Sequence, residues 1–186
     1  MQRFTFVLLF LLVVCFAAAT QAQAPAPKPK PDPALQKLHG WMGHWTYEGE
    51  YKPGPLGPGG KFTGEYDGKM ILGGFLLQAR WTEKGPTGET RGLEIYGYDP
   101  VNKNFPSAVY MDNGSSLTGV MNISGNTFTF SGKFLAAGKL YEGRVTMINA
   151  EDWMSMTLKA EISTDGKAWT PFIESKYTKA KPAPKK

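Results

Sequence analysis

Two histidines, His39 and His44, stand five residues apart in the stretch LHGWMGHW (residues 38–45), and the chain has no others. Zinc takes three or four ligands, usually histidine, cysteine or carboxylate. The nearest carboxylates, Glu48 and Glu50, fall on the outward face of the strand that follows. The stretch therefore reads as a fold boundary, and no metal site is assigned. Among other carboxylates, Asp112 lies beside a turn on the same face as Tyr110, a polar candidate for the rim of a site. Glu94 shares a face with Tyr96 and Tyr98, but Arg80–Glu94 and Glu142–Arg144 read more simply as outward ion pairs, which contribute little. The loop GPLGPGGKFT lacks the glycine spacing and the Lys-Ser/Thr pair of a phosphate loop, and its prolines remove backbone donors. A serine triad has no base outside LHGWMGHW. No catalytic residue and no cofactor are assigned, and no constellation of an enzyme is assembled.

The elements that would position a binding site begin after an export-type leader. Arg3, an apolar run from Phe4 to Ala19 and the small-residue segment Thr20-Gln21-Ala22 follow the order of a secretory signal peptide. The run is shorter than the ~20 residues of a spanning helix. Residues 1–22 are read as a signal, and the expected location is periplasmic or secreted. The single cysteine, Cys15, lies inside that leader, so the mature chain has no thiol chemistry.

Residues 23–33 alternate proline with alanine or lysine and read as an extended linker; residues 179–186, KAKPAPKK, read as a basic disordered tail. The formal charge of +5 resides in these ends. Setting aside Arg3, Lys28, Lys30, Asp32 and the tail lysines 179, 181, 185 and 186 leaves −1 for residues 33–178. A folded part without excess positive charge is no nucleic-acid binder. The tails themselves could make weak contact with anionic envelope surfaces.

Residues 34–178 carry the fold. Asp32-Pro33 starts a short helix, with Leu35 and Leu38 on one face and Gly40 as its end. From residue 44 the apolar period becomes two. Phe128, Phe130 and Phe134 oppose Thr127, Thr129 and Ser131; Met154, Met156 and Leu158 oppose Ser155, Thr157 and Lys159. About ten such strands are joined by short turns, among them Asp112-Asn113-Gly114 and Asp165-Gly166. Closure removes the edges that such a meander exposes, so the expectation is all-β: an up-and-down antiparallel barrel with a short N-terminal capping helix. A two-sheet sandwich is the alternative.

The inward faces carry Tyr47, Tyr66, Trp81, Tyr110, Met121, Tyr141 and Met156. A small barrel can be filled by such side chains. Buried tyrosines, however, each need a partner, and methionine adapts to irregular shapes. A cavity for a small apolar or aromatic molecule fits these residues as well as a filled core does, and these seven are its candidate lining. Oligomeric state is not legible.

Five stretches, LHGWMGHWTYEGEY, ILGGFLL, YGYDPVNKNF, VYMDNGS and STDGKAWTPFIESKYTK, in this order and spacing resemble a bacterial family of calycin-like barrels known as domain of unknown function 1579. The resemblance spans about residues 35–178. It implies a closed barrel of about ten strands, an end capped by the Leu35–Trp41 segment and plugged by Trp45, and turn or packing roles for Gly73-Gly74 and Tyr98-Asp99-Pro100. A haem-binding relative among ten-stranded barrels uses a histidine late in the chain. This chain has none after His44, so haem is not expected.

Overall fold

The computed structural model describes residues 28–181. The expected signal segment and cleavage site, residues 23–27 of the linker and the last five tail residues lie outside that span. Ten antiparallel strands follow in order: β1 Gly43–Tyr51, β2 Gly60–Ile71, β3 Leu76–Gly85, β4 Gly88–Tyr96, β5 Phe105–Met111, β6 Ser116–Ser124, β7 Thr127–Ala136, β8 Lys139–Asn149, β9 Ser155–Ser163 and β10 Thr170–Lys179. Each pairs with its chain neighbours, and β1 pairs with β10, closing the barrel. The expected fold is observed, and the sandwich is excluded.

The capping helix is a 3-10 helix, Pro33–Trp41, rather than an α-helix. Its buried side chains are Leu35, Leu38 and Trp41, a spacing of three that stacks on one face only at three residues per turn. Asp32 caps it, accepting a hydrogen bond from Ala34 N at 2.8 Å. Gly40 does not end the helix as expected. A Cβ there would lie 2.0 Å from the Trp153 ring, so glycine is required for the approach of that ring.

The helix plugs one end of the barrel. Trp41 stacks on Phe128 at 4.6 Å and meets Tyr96 edge-on at 5.4 Å. Leu38, Leu77, Met121 and Phe128 have no exposed surface, and Trp45 retains 2%. The polar groups of Trp41, Asn126 and Asn149 are paired. Asn149 accepts from Trp41 Nε1 at 3.1 Å and donates to Asn126 O at 3.2 Å, while Asn126 Nδ2 donates back to Asn149 O at 2.8 Å. The last strand also reaches one residue beyond the expected boundary. Lys179 belongs to β10, not to the tail: it pairs with Trp45 in register, donates from Nζ to Gly40 O at 2.7 Å, and lies 5.2 Å from the Trp45 ring.

Candidate functional site: the barrel lumen

Above the plug the strands enclose a cavity of about 620 Å³ that opens at the opposite end. That volume is in the range of small-molecule sites. The loop between β1 and β2 forms part of its mouth: Leu56, Gly57, Pro58 and Gly59 line it, and a two-bond bridge between Gly54 and Gly57 (2.9 and 3.1 Å) holds the loop.

The register builds the walls in rows. Trp45 on β1 is opposite Tyr66 on β2, Tyr66 is opposite Trp81 on β3, and Trp81 is opposite Gly92 on β4. Gly92 is required because Trp81 lies across it; a Cβ there would be 2.1 Å from the indole. The next row toward the mouth runs Met156, Tyr177, Tyr47, Gly64, Glu83 and Thr90. Tyr47 and Tyr177 stack at 4.6 Å. The β6–β9 side is apolar, with Met121, Phe130, Val145, Met147, Met156 and Leu158.

Two carboxylates face this space. Glu94 accepts from Tyr96 Oη at 2.6 Å, and Glu83 accepts from Tyr51 Oη. Both have their pKa raised above the usual carboxylate range, because burial penalises the charged form. Hydrogen bonding opposes this, from Tyr51 at Glu83 and from Tyr96 at Glu94. Burial likewise holds the hydroxyls of Tyr47, Tyr51, Tyr66, Tyr96 and Tyr177 protonated well beyond their ordinary range. Glu94 is half-buried by surface area because the cavity touches it, yet the wall encloses it from bulk solvent.

Five buried polar atoms of the lumen lining have no hydrogen-bond partner: Trp45 Nε1, Tyr66 Oη, Trp81 Nε1, Ser107 Oγ and Ser175 Oγ. Indole nitrogen can only donate, and hydroxyls can donate or accept. Native interiors rarely leave such groups unpaired.

Of the sequence-derived candidates, Tyr47, Tyr66, Trp81, Met121 and Met156 line the cavity. Tyr141 is buried behind it, packed with Phe134, Ala136 and Ile162. Tyr110 is corrected: it points outward and is 54% exposed, opposite Leu93 and Ser116 on the outer surface. The phase of β5 is set by Phe105, Ser107 and Val109, all buried, and a one-residue slip exchanges the faces. Asp112 stays in the β5–β6 turn at the open end, exposed, where it accepts from Arg91 N at 3.1 Å. It is a turn residue and does not line the cavity.

The outward ion pairs are also corrected. Glu94 is lumenal and sits opposite Ala79, not Arg80. Glu142 pairs with Lys133, and Arg144 pairs with Glu161 at 2.6 Å. Glu83, Tyr51 and Tyr177 join the lining without having been among the sequence-derived candidates. Each lies on the period-two continuation of an inward residue, Trp81, Tyr47 and Ser175 respectively, which is the available signal. His44 bonds Asp67 at 3.0 Å on the exposed side, and among the described residues no three metal-ligating side chains converge.

Fold and lumen together define a calycin-like barrel with a plugged end, an open end and a ligand-sized interior. The chain belongs to the family described as "Protein of unknown function (DUF1579)", which matches residues 30–179. A search of curated proteins finds no match. Among solved structures, the crystal structure of Rv2717c from M. tuberculosis is similar at 13% identity and TM-score 0.58, covering 82% of this chain and 100% of that one. A de novo designed fluorescence-activating β-barrel aligns at 9% identity and TM-score 0.40, covering 77% of this chain and 96% of that one. At these identities the likeness to Rv2717c concerns the fold.

Proposed function

We propose that the barrel binds a small molecule with an apolar or aromatic body inside its lumen, without catalysis, and that it does so after export. The observation that carries the binding reading is the cavity of about 620 Å³, apolar along β6–β9 and bordered by Glu83 and Glu94, with the unpartnered donors of Trp45, Tyr66 and Trp81 buried in its wall. A barrel that served only as a filled scaffold would gain by pairing or removing these groups, since each buried unpaired donor costs about 1–3 kcal/mol. Burial of the ligand's apolar surface on the β6–β9 side contributes ~25 cal/mol per Å², and the lumenal polar groups Glu83 and Glu94 fix its orientation. Export is supported by the leader pattern of residues 1–22.

Native mass spectrometry of the mature protein, followed by extraction and identification of co-purifying molecules, tests the binding reading. Fluorescence titration with aromatic probes complements it, because Trp81 and Trp45 both border the lumen. A saturable change in emission is expected. No co-purifying molecule together with no saturating probe would refute binding. Fractionation with N-terminal sequencing tests export separately, and an intact Met1 in cytosolic protein would count against it.

A further inference from the structure

The carboxylates of the lumen carry the reading one step further, to the charge of the ligand. Resting on the binding proposal above, we propose that the occupant is an organic cation: a protonated amine on an apolar or aromatic body, with its ammonium group at Glu94. The strand register sets hydroxyl-bearing residues beside it. Glu94 lies two residues from Tyr96 on the same face, Tyr96 is opposite Ser107, and Glu94 is opposite Val109, two residues from Ser107. Tyr66 Oη approaches from the neighbouring row; after burial, the charge of Glu94 is the largest influence on that hydroxyl. Ser107 Oγ and Tyr66 Oη are both unpartnered, and Tyr66 and Ser107 are 8% and 7% exposed. An ammonium has three donors and no acceptor, which suits a carboxylate bordering the cavity.

Among the described residues, no protein cation serves this role. Lys52 and Arg144 border the cavity, but Lys52 is held by Glu50 and Glu174 at 3.0 and 3.1 Å and Arg144 by Glu161. Lys179 is turned to the plug, on Gly40 O. An enclosed carboxylate without a counter-charge is unfavourable in its ionised form, and a ligand cation supplies that charge. Glu83, a row nearer the mouth, places a second negative group on the entry path. An anionic ligand would meet two carboxylates and gain no cation in return.

The test uses a matched series with one apolar body: phenylbutylamine, phenylbutanol and phenylbutyrate, titrated calorimetrically against the mature protein. The amine is expected to bind roughly tenfold or more tightly than the alcohol, with the acid weakest. Glu94→Gln should remove most of the amine's advantage and leave the alcohol within about threefold. Wild-type protein supplies an independent readout if that variant fails to fold. At mildly acidic pH, binding of the amine should release protons, measured in buffers of different ionisation enthalpy, while the alcohol releases none. The groups facing Glu94 are Tyr47, Tyr66, Glu83, Tyr96 and Tyr177, and only Glu83 shares its titration range. Glu83→Gln should therefore retain proton release. Equal affinity for amine and alcohol would overturn the cation assignment and leave the binding reading standing. Absence of binding by all three would overturn both.

Discussion

The two ends of this barrel use the same strands and the same residue types to opposite purpose. At the plugged end, Trp41 Nε1 finds Asn149 Oδ1, and Asn149 and Asn126 satisfy each other's backbone. One row higher, Trp45 Nε1 and Trp81 Nε1 find nothing. An indole is thus fully paired at the base and unpaired in the lumen, within one continuous core cluster. The polar groups at the base specify a single packing. Those in the lumen remain available. Stability and recognition are separated by depth along the barrel axis, and substitutions at the two levels should respond accordingly.

The largest effect belongs to the base. Phe128→Ala removes a ring with no exposed surface that packs on Trp41 and Trp153, and should lower stability by about 3–5 kcal/mol in denaturant unfolding. A loss as small as that of a surface residue would mean that the plug is not packed as described. Next comes Asn149→Leu, which strips Trp41 Nε1 of its acceptor and removes the side-chain donor to Asn126 O, whose bond from Asn149 N remains; about 1–3 kcal/mol should be lost.

Smaller still is the pH dependence of the lumen carboxylates. Glu83 and Glu94 hold their protons in the folded state above the ordinary value of 4.5. Between that value and the raised folded values, the native state binds more protons than the unfolded chain, so stability falls as pH rises. Glu94→Gln should flatten this slope in thermal melts across the same window. Glu161 and Glu174, whose pKa values are lowered by ion pairing, act in the opposite sense below 4.5 and do not share the window. The smallest effect is expected at Tyr66→Phe. Deleting an unpartnered hydroxyl should change stability of the unliganded protein by less than about 0.5 kcal/mol, or raise it. A loss matching Asn149→Leu would show that Tyr66 is paired in solution and would erase the contrast between the two levels.

Strand number, closure and the plug are legible because they depend on local signals: alternation, Gly-containing turns and a proline-led helix start. Five of the seven proposed lining residues do border the cavity. Tyr110 misleads because aromatic character suggests an inward face, whereas the modest Ser107 and Val109 set the phase of β5. Glu94 misleads in the converse way, since charge suggests the outside. Its alternation with Gly92 and Tyr96 points inward. Tyr141 does face inward but lies behind Phe134, at 6.5 Å between rings, a matter of packing that no periodicity encodes. The unpartnered donors follow only from assembled rows and have no sequence signal.

The bond from Lys179 Nζ to Gly40 O joins residues 139 positions apart and accompanies the pairing of β10 with β1. Every other strand pair can form as soon as its hairpin exists, but this one waits for nearly the whole chain. Until β10 arrives, the growing sheet has β1 as a free edge and the plug lacks its final tether. Closure across such a separation is entropically slow, and an open edge invites pairing with other chains. The lysine at the end of the last strand therefore marks the moment at which a chain vulnerable to aggregation loses its last free edge.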